Sequence, residues 1–165
     1  MPLNLELKIK VVSHSRLEKI LKTNYAKFEG TLIQKDIYYK IKQGLLKLRI
    51  ENGKHTLIKY SRDESGKRWS NYELLELAGK NPAKYLEDIL TVETIVDKKR
   101  KLYLYENTRI HLDDVKGLGK YLELETLLVD DKKNATKRFE HVKKMLGIEN
   151  VQQIRASYKN LLSAK

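Results

Sequence analysis

From Leu3 to Val12 apolar residues alternate with charge, Leu5, Leu7 and Ile9 against Glu6, Lys8 and Lys10. A period of two predicts a strand with one apolar and one charged face. Ser13-His14-Ser15 follows as an N-cap signal with Glu18 three residues after Ser15, and Leu17, Ile20, Leu21 and Tyr25 recur at helical spacing. The centre reads as hairpins. Lys35 to Ile41, Gly44 to Glu51, Lys54 to Arg62 and Trp69 to Leu77 are strand candidates, and Asn52-Gly53 is a strong hairpin-turn sequence. Asn81-Pro82 opens a short helix to Ile89. Thr91 to Val96, Arg100 to Tyr105 and Arg109 to Val115 are further strands, and Gly117-Leu118-Gly119 turns into a last one, Lys120 to Val129. The period then lengthens: Asn134 to Leu146 puts Ala135, Phe139 and Val142 on one side, and Val151 to Leu162 reads as a second helix. The pattern predicts one α+β domain over residues 1–165, with eight or nine antiparallel strands.

Composition narrows the chemistry. The 165 residues contain no cysteine, which excludes a disulfide scaffold, a zinc-thiolate site and a cysteine nucleophile. No apolar run reaches the roughly 18 residues of a membrane span, and the first ten residues do not form a signal-peptide core, so a cytoplasmic protein without a membrane partner is expected. Lys and Arg number 34 against 22 Asp and Glu, a net charge of +12. The excess is woven into regular elements instead of forming a basic tail, a Gly/Arg-rich arm or an RNA-binding aromatic motif, which argues against nucleic acid as the partner. A homodimer stays open.

The strands carry their charge in ordered groups. Glu6, Lys8 and Lys10 share a face, as do Lys47, Arg49 and Glu51, then Arg109, His111 and Asp113, then Tyr121, Glu123 and Glu125. The opposite faces are apolar, with Leu46, Leu48, Ile50, Ile110, Leu112, Leu122 and Leu124. Periodicity alone leaves two arrangements: solvent-facing strands with incidental cross-strand ion pairs, or a sheet closed into a barrel with its helices outside and a charged, wet interior. In the second, Glu6, Asp113, Glu123 and Glu125 are hard oxygen donors suited to Mg²⁺ or Mn²⁺. Lys8, Arg49, Lys59, Lys98, Arg100 and Arg109 supply fixed positive charge. Carboxylates holding divalent ions amid Lys and Arg suit phosphoryl or nucleotidyl transfer, whose barrier falls mainly through positioning and charge neutralisation.

Asn4-Leu5-Glu6-Leu7-Lys8 also resembles the ExExK signature strand of CYTH domains, the triphosphate tunnel metalloenzymes. The similarity continues through Leu46-Lys47-Leu48-Arg49, Leu57-Ile58-Lys59-Tyr60 and Lys98-x-Arg100-x-x-Tyr103. Its most specific part is Arg109-Ile110-His111-Leu112-Asp113-x-Val115-x-Gly117-Leu118-Gly119-x-Tyr121-x-Glu123-x-Glu125, which is similar to the class IV adenylyl cyclase-like branch. The resemblance implies a closed eight-stranded antiparallel β-barrel, a tunnel with helices packed outside, acting on a triphosphate such as ATP, thiamine triphosphate or inorganic triphosphate. It implies metal ligands at Glu6, Glu123 and Glu125 with Asp113 as a further ligand or water-positioning group, and a catalytic set of Glu6, Lys8 and Asp113. Phosphate contacts are implied at Lys8, Arg49, Lys59, Arg68, Lys98, Arg100 and Arg109. The leading activity it implies is cyclisation of ATP to cAMP and pyrophosphate, with triphosphate hydrolysis or non-catalytic triphosphate binding as alternatives. Asn4 stands where the signature has its first Glu, which removes one negative charge from the metal site. Tyr158 matches a family position near the tunnel mouth, and core packing explains it as well.

Overall fold

A computed structural model describes residues 3–62 and 69–165. In chain order the elements are β1 (Leu3–Lys10), α1 (Ser15–Thr23), β2 (Lys27–Tyr39), β3 (Leu45–Glu51), β4 (Lys54–Arg62), β5 (Trp69–Leu77), α2 (Pro82–Glu87), β6 (Val92–Tyr105), β7 (Thr108–Val115), β8 (Gly119–Leu127), α3 (Lys132–Met145) and α4 (Tyr158–Ser163). The strands close into an antiparallel barrel in the order β1-β5-β4-β3-β2-β6-β7-β8. Closure rests on β1 and β8, which pair from Asn4↔Leu127 to Lys10↔Tyr121.

The apolar strand faces look outward and are capped by helices. Leu5, Leu7 and Ile9 of β1, Ile110 and Leu112 of β7 and Leu122 and Leu124 of β8 pack against Leu17 and Leu21 of α1, Phe139 and Val142 of α3 and Leu146, which caps the C-terminal end of α3. Fully burying each such side chain contributes about 1.5–3 kcal/mol, so the outer face, and not the lumen, holds the main core. A second cluster joins Ile37, Tyr39 and Leu48 to Leu86 of α2. A third lies at one end of the barrel, where Tyr38, Val96, Val115, Leu118 and Tyr121 pack on Tyr158, with Leu161 and Leu162 of α4 against them. Among the described residues no helix is long and apolar enough to cross a membrane.

The barrel has eight strands because two predicted ones are a single strand. Asp97-Lys98-Lys99 reads as a polar break, but in β6 the run divides between faces, with Val96, Lys98 and Arg100 buried and Lys99 exposed. β2 starts at Lys27, well before the expected Lys35, and pairs with β6 along its length through a bulge between Phe28 and Gly30. The Asn52-Gly53 turn forms as expected, both residues at positive φ, 50° and 73°. Gly44 enters β3 at φ 75°, where a Cβ would come 2.8 Å from the Tyr60 carbonyl oxygen. The predicted helix from Val151 shortens to α4. Residues 151–157 instead cross to β1, where the Ile154 N–H donates to the Lys8 carbonyl at 2.7 Å and Ser157 caps α4 by accepting from the Asn160 N–H at 3.1 Å.

Candidate active site

The inner face encloses a cavity of about 320 Å³, at the lower end of the range for small-molecule sites. Its described lining gathers the basic side chains Lys8, Lys47, Arg49, Lys98, Arg100 and Arg109 with the acidic Glu6, Glu123 and Glu125. Period two puts them there: each is the inward member of its strand, and the ladder sets Glu6 opposite Glu125 and Lys8 opposite Glu123, with Arg109 opposite Glu125 and His111 opposite Glu123.

Two fully buried aspartates anchor the cations from behind. Arg49 donates through Nε and Nη2 to the two oxygens of Asp36, each at 2.8 Å. Lys98 Nζ donates to Oδ2 at 2.7 Å, and Lys47 Nζ lies 3.0 Å from the same oxygen. Asp113 plays the matching part on β7. Arg100 donates to both its oxygens at 2.7 Å, the Tyr158 hydroxyl donates to Oδ2 at 2.7 Å, and Arg100 Nη2 also donates to Glu123 Oε1 at 3.1 Å. Burial disfavours the Asp36 carboxylate, yet Lys47, Lys98 and Arg49 hold its pKa well below the ordinary value. Burial drops Lys98 to about 7, against the pull of Asp36 and with Arg49 and Arg100 adding to the fall. A carboxylate can satisfy one of three cations, so positive potential is left facing the cavity, as an anion site requires.

The two glutamates of β8 differ. Burial pushes Glu123 up, but Lys8 and Arg100 overcome it and hold the carboxyl well below its usual range. Burial and the facing Glu6 instead raise Glu125, with Arg109 opposing. In metal-free protein at pH 7, Glu123→Gln should therefore destabilise by about 1–3 kcal/mol through the broken Arg100 bond, whereas Glu125→Gln should stabilise by removing a strained charge. The Glu125→Gln gain should vanish below pH ~4, where the unfolded carboxyl is protonated too. Thermal melts of both variants in EDTA check this; equal shifts of the same sign would contradict it.

The residues fit a divalent cation at the Glu6–Glu125 pair, where two carboxylates repel one another. Among the described residues no three His, Asp or Glu side chains are grouped to hold a metal by themselves, and Mg²⁺ commonly makes do with one or two carboxylates plus substrate phosphates and water. Asn4 is fully buried at the next inward position of β1, and neither of its amide atoms has a hydrogen-bond partner among the described residues.

Three of the expected site residues need correction or fall outside. Lys59 is exposed on the outer face, because the inward residues of β4 are Thr56, Ile58 and Tyr60 and neighbours in a strand face opposite ways. Asp113 is inside, and both its oxygens accept from Arg100 while Oδ2 also accepts from Tyr158, so in this structure it positions Arg100. Arg68 lies outside the described residues. Asp36, Tyr38 and Gln34 were not anticipated; the signal was present in the alternation of Gln34, Asp36 and Tyr38 with Ile37 and Tyr39.

A family model described as CYTH domain matches residues 3–158. The chain belongs to the CYTH domain family. A Methanocaldococcus jannaschii protein named as a candidate adenylate cyclase is 26% identical over 172 residues, covering 96% of this chain and 98% of that one. Among solved structures, the PH1012 protein of Pyrococcus horikoshii superposes on the CYTH barrel with a TM-score of 0.84 at 21% identity, covering 96% of this chain and 98% of that one. A Hippeastrum protein, described as a candidate adenylyl cyclase with a dominant triphosphatase activity, gives 0.71 at 16% identity, covering 99% and 96%. At these identities both structures report the CYTH fold itself.

Proposed function

We propose that this CYTH protein is a divalent-metal-dependent enzyme acting on a triphosphate held in the barrel, first as an adenylyl cyclase-like enzyme. The observation that carries the reading is the convergence of Lys8, Lys47, Arg49, Lys98, Arg100 and Arg109 on one cavity, with Asp36 and Asp113 fixing four of them. Arg49, Lys98 and Arg100 bind and orient the phosphate chain, because their side chains are locked before the ligand arrives and little ordering entropy remains to be lost. A divalent cation at Glu6 and Glu125, Mg²⁺ or Mn²⁺, would offset phosphate charge. Lys8 and Arg109 stabilise charge developing on the leaving pyrophosphate when the 3′-hydroxyl of ATP attacks the α-phosphorus. The Hippeastrum relative supports a second reading, attack of water on the γ-phosphorus, which would use the same cations.

Release of cAMP, pyrophosphate and phosphate from ATP, thiamine triphosphate and inorganic triphosphate, with Mg²⁺ or Mn²⁺ and with EDTA, tests both. cAMP with pyrophosphate supports the first, phosphate alone the second, and no turnover of any substrate overturns the enzyme.

Lys98 offers an independent check. A bound polyanion should return its pKa toward the ordinary lysine value, so triphosphate binding at pH 8 should take up on the order of one proton. Calorimetry in buffers of different ionisation enthalpy reads that uptake, and Lys98→Met should abolish it. Buffer-independent heat would remove Lys98 from the phosphate site.

A further inference from the structure

Three of the cavity's cations lean on one neutral residue, Tyr158 at the start of α4. Lys8 Nζ of β1 sits 4.2 Å from the centroid of its ring, and Lys98 Nζ of β6 lies 5.7 Å from the same centroid. Both fall within the ~6 Å over which a ring face attracts a cation. The Tyr158 hydroxyl donates to Asp113 Oδ2 at 2.7 Å, and that carboxylate accepts from both Nε and Nη2 of Arg100. The same stretch of chain holds Lys8 twice more. Lys8 Nζ donates to the Ala156 carbonyl at 2.9 Å, and the Ile154 N–H donates to the Lys8 carbonyl at 2.7 Å. Ser157 and Tyr158 line the cavity beside these cations.

Packing alone does not require this arrangement. A phenylalanine would fill the same space against Tyr121, whose ring meets Tyr158 edge-on at 5.2 Å, and would bring no buried hydroxyl to satisfy. The electrostatics do call for it. Lys8, Lys98 and Arg100 repel one another, and a further carboxylate among them would steady them only by neutralising charge that a phosphate chain needs. An aromatic face attracts ammonium groups through its quadrupole and leaves their charge whole.

We infer that Tyr158 is a positioning residue for the anion site: its ring holds the ammonium groups of Lys8 and Lys98, and its hydroxyl, through Asp113, aims Arg100. The inference rests on the triphosphate reading for its ligand and adds the C-terminal segment to that site. Docking of residues 154–158 on β1 and occupation of the cavity then favour one another by the same factor, because the ligand meets ordered cations only when the segment is seated.

Tyr158→Phe and Tyr158→Leu in the full chain, studied in EDTA, separate the two contacts. Without ligand, exchange of the Arg100 Nε–H, followed by nitrogen NMR, should quicken about fivefold in Tyr158→Phe, which removes one hydrogen bond and keeps the ring. Calorimetry with inorganic triphosphate should show about fivefold weaker binding for Tyr158→Phe and a further loss of about threefold or more for Tyr158→Leu, where the ring is gone too. In wild type, saturating triphosphate should slow exchange of the Ile154 amide at least about fivefold. An unmoved Arg100 signal with wild-type affinity in Tyr158→Phe, or an Ile154 amide that bound triphosphate leaves unchanged, overturns the assignment while the triphosphate reading stands, whether or not Tyr158→Leu folds. No binding by wild type, with the Arg100 signal still moved in Tyr158→Phe, supports Tyr158 as the residue that aims Arg100 and overturns the triphosphate reading instead.

Discussion

Asp36→Asn should cost the metal-free protein about 3–5 kcal/mol, the usual penalty when one partner of a buried ionic cluster is removed and the others stay charged. Asparagine keeps the shape and a hydrogen-bond acceptor but leaves Lys47 and Arg49 charged around a neutral amide, while Lys98, already down at about 7 with Asp36 pulling it up, gives up its proton at neutral pH. The carboxyl is held well below its ordinary pKa in the fold, so its contribution is complete above the unfolded value near pH ~3.9 and fades as pH falls through the lower folded one. The gap between wild type and variant should accordingly shrink on acidification, and urea unfolding at pH 7 and pH 3 measures both ends. Inorganic triphosphate should restore part of the lost stability, because it returns negative charge to these side chains and binds only the folded state. A loss under about 1 kcal/mol would mean that the cations are solvated and the lumen wet.

Glu6→Gln combined with Glu125→Gln should reduce metal-dependent turnover by roughly 10²–10³-fold, corresponding to the several kcal/mol of charge stabilisation lost with the cation. The same substitutions relieve the repulsion between facing carboxylates, so the fold should survive and triphosphate binding in EDTA should hold or tighten. Loss of turnover together with loss of EDTA-insensitive binding would point to a damaged barrel. Full activity would place the metal elsewhere. Parallel kinetics across a Mn²⁺ titration and binding in EDTA separate these results.

The barrel was legible because four of its strands segregate charge from apolar residues so cleanly: β1, β3, β7 and β8 each show the inward and outward sets directly. That segregation also located Glu6, Lys8, Arg49, Arg100, Arg109, Glu123 and Glu125. It failed at Lys59, where β4 mixes Thr56, His55, Ile58 and Lys59 on both faces and nothing in the pattern says which looks in. It also missed the continuity of β6 through Asp97-Lys98-Lys99, where charge falls on both faces, although Lys98 itself was among the expected inward cations. The role of Asp113 could not be read at all, since an aspartate ligating a metal and one clamping an arginine look alike until the partner across the ladder is known. Asp36 needed the same tertiary knowledge: its partners come from β3 and β6, 11 to 62 positions away.

The packing of α4 and Tyr158 across one end has a consequence for traffic. Phosphates drawn toward the deep cations must enter ahead of whatever they carry, and the group nearest the open mouth is the first able to leave. Departure is then last-in, first-out. Under the cyclase-like reading proposed above, the anionic product would lie beneath the other and dissociate after it, so pyrophosphate should inhibit competitively against the substrate while cAMP does so only weakly.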